Sequence, residues 1–298
     1  MPACPTTSPA TADGVIEPLL LPLPGDPYTE CTGCGQPTEH ERAILAPGTP
    51  GAPRLLQAPG EDHELIRYRW MIGHQAVFCV WRTLCGNMSA LKAAHVPAYL
   101  QVHQAALGYD VYSLLLLYAG SCSSDQYAAT VRRDMMDCHP AFSGTWARDH
   151  AGLPQLLHRV RQAHPGQPLA DLLHAARLNR AVHMAIADSL VPQGASLLQA
   201  AGRRSCDAPA PEEFDLYDAF FHVRRRGICP DLFAAQVLRR FAQIVSDLSS
   251  RGLLLNQSRS LRLPGRYHDD IQVLAQRAES TLAEYAHIVQ YRLQEPAS

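Results

Sequence analysis

The stretch Trp70-Met-Ile-Gly-His-Gln-Ala-Val-Phe-Cys-Val-Trp81 decides the fold, because it lies in the middle of a long run of apolar residues at helical spacing. Trp70, Val77 and Leu84 follow one another at intervals of seven residues, which is typical of one face of an α-helix. The run starts near residue 61 and ends at Cys85-Gly86-Asn87, a combination typical of a helix C-terminus. The sequence therefore predicts a helix from 61 to 85.

The same spacing recurs along most of the chain, so the predicted fold class is all-α. The further predicted helices cover 90–118, 123–137, 152–163, 168–190, 213–224, 231–250 and 267–293. Only 253–255 and 260–263 have the character of strands, and they do not alternate with helices as a parallel sheet would require. Turn-forming residues and two large aromatic side chains between 139 and 149 predict an ordered loop.

Residues 1–58 form a separate region, because they are rich in proline and show no sustained helical or strand period. We predict a Pro-rich N-terminal arm over 1–58 and one helical domain over 59–298. The apolar residues at 16 and 19–21 suggest that part of the arm packs on the body or on a second subunit. Cys31 and Cys34 lack a second close pair of ligands, so a tetrahedral zinc site is not expected.

The composition excludes several classes of function. The net charge of -2, without a basic face, argues against nucleic acid or a membrane surface as partner. No apolar stretch reaches the roughly 18 residues of a membrane helix, and the N-terminus lacks the charged start of a signal peptide. Nine scattered cysteines fit a reducing compartment, so we expect a cytoplasmic protein. The motifs of P-loop, serine-hydrolase and zinc-protease sites are absent from the sequence.

Two histidines lie inside strongly apolar helical stretches, His74 within 70–81 and His183 within 177–186. Taken alone, each is more often a buried core histidine than a ligand. A haem iron, however, needs one imidazole as axial ligand and a second polar group opposite it to steer bound oxygen or peroxide. Two helix-borne histidines suffice for both roles, and Gly73 would let a bulky group approach the backbone beside His74.

Both histidine segments resemble a known superfamily. Residues 72–77 with Trp81 resemble the T-H-Q-x-Y-E-L-W distal helix of tryptophan 2,3-dioxygenases. Arg180-x-x-His183, followed by the loop 192–196, is similar to the proximal helix and glycine-rich loop of that family. The chain more closely resembles bacterial histidine-ligated haem enzymes that hydroxylate L-tyrosine to L-DOPA in antibiotic pathways. The resemblance covers about residues 60–290.

The resemblance implies an all-α helical bundle of the tryptophan 2,3-dioxygenase type around a haem pocket. It implies that His183 is the axial iron ligand, that His74 handles protons and that hydrogen peroxide is the oxidant. Gly73, Trp81 and Arg180 are predicted to contact the cofactor, with Arg180 near the haem propionates. A related 3-methyl-tyrosine hydroxylase attaches haem through His-x-x-x-Cys. Because that motif is absent here, we expect non-covalent haem b.

An amino-acid substrate such as L-tyrosine needs a cation for its carboxylate and oxygen acceptors for its ammonium group. For these roles the sequence offers Arg132, Ser143, Thr145 and Trp146, with Arg224 as the other choice of arginine. We expect a homodimer. Two alternatives remain open: a haem oxygenase of the same superfamily that acts on an indole or tryptophan, and a helical interaction protein without cofactor in which both histidines belong to the core.

Overall fold

A computed structural model describes residues 16–30, 56–94, 99–165, 169–192, 194–253 and 263–294. Helices dominate these ranges, which confirms the predicted all-α class. Among the described helices, none combines the length and the apolar character that crossing a membrane requires. The helices are α1 (Asp62–Ala93), α2 (Tyr99–Ala119), α3 (Ser124–Ala129), α4 (Val131–Cys138), α5 (Leu153–Ala163), α6 (Ala170–Leu190), α7 (Leu197–Ala200), α8 (Pro211–Phe220), α9 (Pro230–Arg251), α10 (His268–Gln276) and α11 (Ala278–Gln294).

Helix α2 lies at the centre of the bundle, because it is apolar on every side and almost all of its side chains from 102 to 119 are buried. It packs between α1 and α6, while α1 also contacts α5 and α9, and α11 covers α2 and α9. Fully burying a leucine or valine such as Leu115 or Val111 contributes about 1.5–3 kcal/mol. Burial of α2 therefore provides much of the free energy that holds the three central helices together.

The contacts across α2 fix the directions of its neighbours. The touching pairs are Gly73 with Ala119, Trp81 with Tyr112, Asn179 with Ser113 and Ile186 with Gly120. Residue numbers rise in opposite directions across the first interface and in the same direction across the second. Helix α1 is therefore antiparallel to α2, and α6 is parallel to α2.

Two short parallel strands attach the N-terminal segment to the bundle. Strand β1 (Leu19–Leu21) pairs with β2 (Val223–Arg225), and the side chains of Leu19 and Leu21 are fully buried. The described part of the predicted arm thus packs on the body of its own chain. The remainder of the arm, with Cys31 and Cys34, lies outside the described residues.

Several predicted limits are wrong. Helix α1 continues through Gly86 to Ala93, because burial of Met88 and Leu91 outweighs the cost of about 1 kcal/mol for a helical glycine. The predicted helix 213–224 ends at Phe220, since His222 adopts a φ of 53° and turns the chain into β2.

Two other predicted helices are each divided in two. The helix predicted over 123–137 breaks at Thr130, and the one predicted over 267–293 breaks at Arg277. At both breaks one residue leaves the helical conformation, which the continuous apolar spacing did not indicate. Of the two stretches with strand character, all but Leu253 and Leu263 lies outside the described residues.

Candidate active site

Two glycine contacts place the candidate histidines at the same height in the bundle. A Cβ on Gly73 would lie 2.9 Å from the Cβ of Ala119, and one on Gly120 would lie 2.6 Å from Cγ2 of Ile186. Both contacts are too close for any side chain, so the end of α2 is clamped between α1 and α6. One candidate histidine directly follows Gly73 and the other stands three residues before Ile186. They therefore lie at the same level of α2, one on α1 and the other on α6.

The imidazole of His74 is held in one orientation and one tautomer. Its Nδ1 lies 2.7 Å from the carbonyl oxygen of Trp70, and because a carbonyl only accepts, Nδ1 carries the proton and donates. The His74 ring is stacked on the ring of Phe221, with centroids 4.5 Å apart. Its centroid also lies 4.3 Å from that of Trp70, and the planes of these two rings are tilted by 39°. The lone pair on Nε2 is thus left available for a proton or a ligand.

Burial keeps His74 neutral. Desolvation lowers its pKa to about 4, against the opposing effect of the bond to Trp70, and the charge of His183 lowers it further. A neutral imidazole at neutral pH can accept a proton through Nε2 and return it.

The environment of His183 is different. The residue is solvent-accessible on α6, and no described residue forms a hydrogen bond with its ring. Surrounding protein nevertheless lowers its pKa by desolvation. Within the described residues, no three metal-ligating side chains come together.

Gln75 connects the His74 region to two distant segments, and sequence analysis did not assign it a role. Its Nε2 donates to the carbonyl oxygens of Phe221 (2.9 Å) and Glu17 (3.2 Å). Its Oε1 accepts from Nε of the buried Arg240 at 2.6 Å, and Arg240 also donates to the carbonyl of Glu17 at 2.8 Å. This network fixes the backbone of Phe221, and with it the ring that covers His74. An amide inside an apolar run was the signal that could have revealed it.

A third histidine, His150, lies near the pair and was also missed. Its ring centroid is 5.1 Å from that of Trp81 and 6.3 Å from that of Tyr112, and these two rings meet edge to face at 5.6 Å. Desolvation lowers the pKa of His150 to about 4, and the charge of His183 contributes. The predicted cofactor residue Trp81 is therefore close to His150. His150 belongs to a loop, where no periodicity marks a residue as buried.

Arg225 holds the loop that carries His150. Its guanidinium donates to Asp149 at 2.5 and 3.1 Å and to Asp218 at 2.6 and 2.8 Å. The predicted substrate residue Arg224 is the neighbour of Arg225 in β2 and is exposed, because successive strand residues point to opposite faces. Arg225 therefore has a structural role inside the protein, whereas the predicted substrate residue Arg224 points to solvent.

Three other predicted substrate residues serve the local structure. The hydroxyl of Ser143 accepts from the backbone N–H of Thr145 at 3.2 Å and lies 3.0 Å from its hydroxyl, which forms a helical cap. Trp146 is 1% exposed and packs on Phe142. Phe142 in turn contacts Phe221, so Trp146 is separated from His74 by two aromatic rings.

Arg132 is the predicted substrate arginine that lies closest to the His74 region. It donates to the carbonyl oxygen of Ala195 at 2.9 Å, which joins α4 to the loop after α6. Its charge also acts on the hydroxyl of Tyr127, whose ring lies 5.5 Å from that of Trp70. Trp70 contacts His74 directly. Gln193, in the same loop, lies outside the described residues.

The predicted cofactor residues Gly73 and Arg180 have different surroundings. The space beside Gly73 is filled by Ala119, so the expectation that a cofactor approaches the backbone there is not supported. Arg180 is exposed and lines a groove between α5 and α6 with a volume of about 350 Å³. A second cavity, of about 590 Å³, lies beyond Trp81 beside Arg82 and Arg148 and includes neither candidate histidine.

The comparison with protein families supplies the class, that of peroxygenases. The family model described as SfmD 3-methyl-L-tyrosine peroxygenase matches residues 28–176, which is half of the chain, and the chain belongs to this family. The matched region includes His74, Trp81 and His150 and ends before His183. A comparison with curated proteins finds no match.

Proposed function

We propose that this protein is a haem-dependent peroxygenase that hydroxylates the phenol ring of a tyrosine-type amino acid, with L-tyrosine converted to L-DOPA. The observation that carries the proposal is the level placement of His74 and His183, with Nε2 of His74 left free by the bond from Nδ1. The family match supports oxygen transfer from a peroxide as the kind of reaction. Hydrogen peroxide is the proposed oxidant.

The donor set fits a haem. His183 has no hydrogen bond to any described residue, so its ring is free to bind iron. His74 lies at the same level of the bundle with a lone pair on Nε2, and the rings of Trp70 and Phe221 pack against it. The sequence contains no His-x-x-x-Cys, which supports non-covalent haem b. When bound, haem would supply the iron that transfers oxygen from peroxide.

The proposed role of His74 is to move one proton. Its Nε2 accepts a proton from one oxygen of hydrogen peroxide and returns it to the oxygen that departs as water. The other oxygen enters a ring C–H bond, which becomes C–O–H, so one peroxide and one phenol yield one catechol and one water. The bond from Nδ1 to Trp70 keeps the tautomer fixed throughout. The rings of Phe221 and Trp70 pack against the imidazole and reduce its contact with water.

We propose that the aromatic wall of Trp81 and Tyr112, with His150, borders the substrate space. An aromatic ring binds well between such side chains. For the substrate carboxylate we propose Arg132, because it lies near the His74 side of the site and uses only one of its donors on Ala195. This assignment leaves Ser143, Thr145 and Trp146 with their local structural roles.

The test is to purify the chain with haem supplied during expression, record the absorption spectrum and analyse products by mass spectrometry. We expect a Soret band and the conversion of L-tyrosine with hydrogen peroxide to a product with one added oxygen. A colourless protein that turns over no tyrosine would overturn the proposal and favour the cofactor-free alternative.

The family match favours a second candidate substrate, 3-methyl-L-tyrosine. A competition assay with equal amounts of both amino acids, limited to a few turnovers, measures the ratio of their kcat/KM values. Tryptophan in a parallel reaction tests the indole alternative. Preference for the methylated ring would move the proposed substrate to 3-methyl-L-tyrosine and keep the proposed chemistry.

A further inference from the structure

The groove between α5 and α6 combines apolar walls with a concentration of positive charge. Its volume is about 350 Å³. Its lining residues are Pro154, Leu157, His158, Arg161, Leu173, Ala176, Arg177 and Arg180. Three of the eight are arginines, and the lining contains neither an aspartate nor a glutamate. The groove therefore offers a surface for an anion that also has apolar parts.

The three arginines of the groove have no partners in the part of the chain that the structure describes. Arg161, Arg177 and Arg180 form neither a hydrogen bond nor an ion pair with another described residue. By contrast, Arg225 is bonded to two aspartates and Arg240 to Gln75. Guanidinium groups that share a groove without a counter-ion repel one another, and a carboxylate between them would relieve that repulsion.

The groove lies in line with His183. On α6, positions 173, 176, 177 and 180 line the groove, and the next position at helical spacing is 183. A helix rises about 1.5 Å per residue, so Arg180 and Arg177 lie about 4.5 and 9 Å along the axis from His183. Both arginines therefore lie on the stretch of α6 that a porphyrin bound at His183 would cover.

We propose that this groove binds carboxylates, and that its ligands are the propionates of the haem whose iron is bound by His183. The inference rests on the proposed function and adds the residues that recognise the edge of the cofactor. Arginine suits this role because its planar guanidinium pairs with a carboxylate through two parallel hydrogen bonds. Arg161 and Arg177 are the additions, beside the earlier prediction for Arg180.

The test compares haem with its dimethyl ester, in which both propionates lose their charge. Each form is loaded into the wild-type protein, the Arg161→Ala/Arg177→Ala variant and the Arg159→Ala variant. Arg159 is the matched control, because it is exposed on α5 and does not line the groove. The rate of transfer to excess apomyoglobin, followed by the Soret band, measures how tightly each form is held.

We expect the wild type and the Arg159→Ala variant to hold haem roughly tenfold more tightly than the ester, since 1.4 kcal/mol corresponds to a factor of ten. In the double variant, the preference for haem over the ester should be clearly smaller, because only Arg180 of the three arginines remains. A double variant that still prefers haem to the ester to the wild-type extent would overturn the inference, although haem binding itself would stand. A wild type that binds neither form would overturn the proposed function as well.

A second arm distinguishes the carboxylate of the substrate from those of haem. It compares L-tyrosine with tyramine, which lacks the carboxylate, in the same three proteins. If the double variant keeps its preference for haem over the ester but loses the preference for tyrosine over tyramine, the groove binds the substrate instead. That result would overturn the assignment to the propionates. The assignment to the propionates is supported if the double variant keeps the wild-type ratio of kcat/KM for tyrosine and tyramine while its preference for haem over the ester is reduced.

Discussion

His74 and His183 lie at the same level of the bundle, but their surroundings differ. His74 donates from Nδ1 to Trp70 and is covered by Phe221, whose backbone is held by Gln75. The ring of His183 is solvent-accessible and forms no hydrogen bond with any described residue. The chain therefore orients the first imidazole by itself, whereas the orientation of the second is left to a ligand. A fixed tautomer suits a group that transfers a proton, whereas both ring nitrogens of His183 are unused by the described residues.

The largest expected effect is at His183. We expect His183→Ala to lose haem binding, because the iron would have no strong imidazole donor on the α6 side. The Soret band of the purified variant, compared with the wild type, measures the loss. His174→Ala is the control, since His174 lies on the same helix and contacts Asp270 at the surface. A variant with a full Soret band would contradict the assignment of His183 as axial ligand.

His74→Ala should separate the two roles, with haem retained and turnover reduced. General acid–base catalysis contributes about 10²–10⁴-fold to rates, so kcat should fall by that order. The assay is catechol formation with hydrogen peroxide, normalised to bound haem. His103→Ala, which removes an exposed histidine of α2, should leave turnover unchanged. If His74→Ala also removed the haem, the contrast between the two histidines would be wrong.

Gln75→Leu tests whether the protein itself orients His74. The substitution leaves Nε of the buried Arg240 and the carbonyl of Phe221 without their partner. Leaving such buried groups unpaired costs about 3 kcal/mol of the free energy of unfolding. Urea denaturation measures this loss, and Gln162→Leu on the exposed side of α5 should change stability by about 0.5 kcal/mol or less. Equal stabilities for the two variants would show that the network has no energetic role.

The pH dependence of stability offers a smaller effect. In the haem-free protein, the pKa of His74 is lowered from 6.5 to about 4. Between these values the unfolded chain binds a proton that the folded chain does not. The stability that comes from keeping His74 neutral is therefore fully present above pH 6.5. As the pH falls towards 4, the free energy of unfolding decreases by about 2–3 kcal/mol.

Denaturation curves at pH 7 and pH 5 measure this effect. His74→Gln should flatten the dependence of unfolding free energy on pH, whereas His103→Gln, at an exposed position, should not. A wild-type slope that His74→Gln leaves intact would place the acid sensitivity at other residues.

The helices and the two histidines could be predicted because apolar spacing is a local property of the sequence. The sequence does not predict that His74 and His183 lie at the same level of the bundle, since this depends on close contacts of Gly73 and Gly120 with other helices. The roles of Gln75 and His150 depend on partners distant in sequence or on a loop without periodicity.

The same reason explains the errors in the fold. Strand β1 has only three residues, and its partner β2 lies about 200 residues later in the sequence, so no local pattern predicts it. At Gly86 the local signal for a helix end was outweighed by burial of the residues that follow. Arg224 and Arg225 are adjacent in sequence, and only the pairing of β2 decides which of them faces inwards.

The N-terminal segment has a consequence for anyone who shortens this chain. The carbonyl of Glu17 accepts from both Gln75 and Arg240, and β1 follows two residues later. A fragment that starts at residue 59, the boundary that composition suggests, would remove this acceptor and expose the edge of β2. Such a fragment should be judged by the environment of His74 as well as by its helix content, because loss of the Glu17 acceptor weakens the network that holds Phe221 against His74.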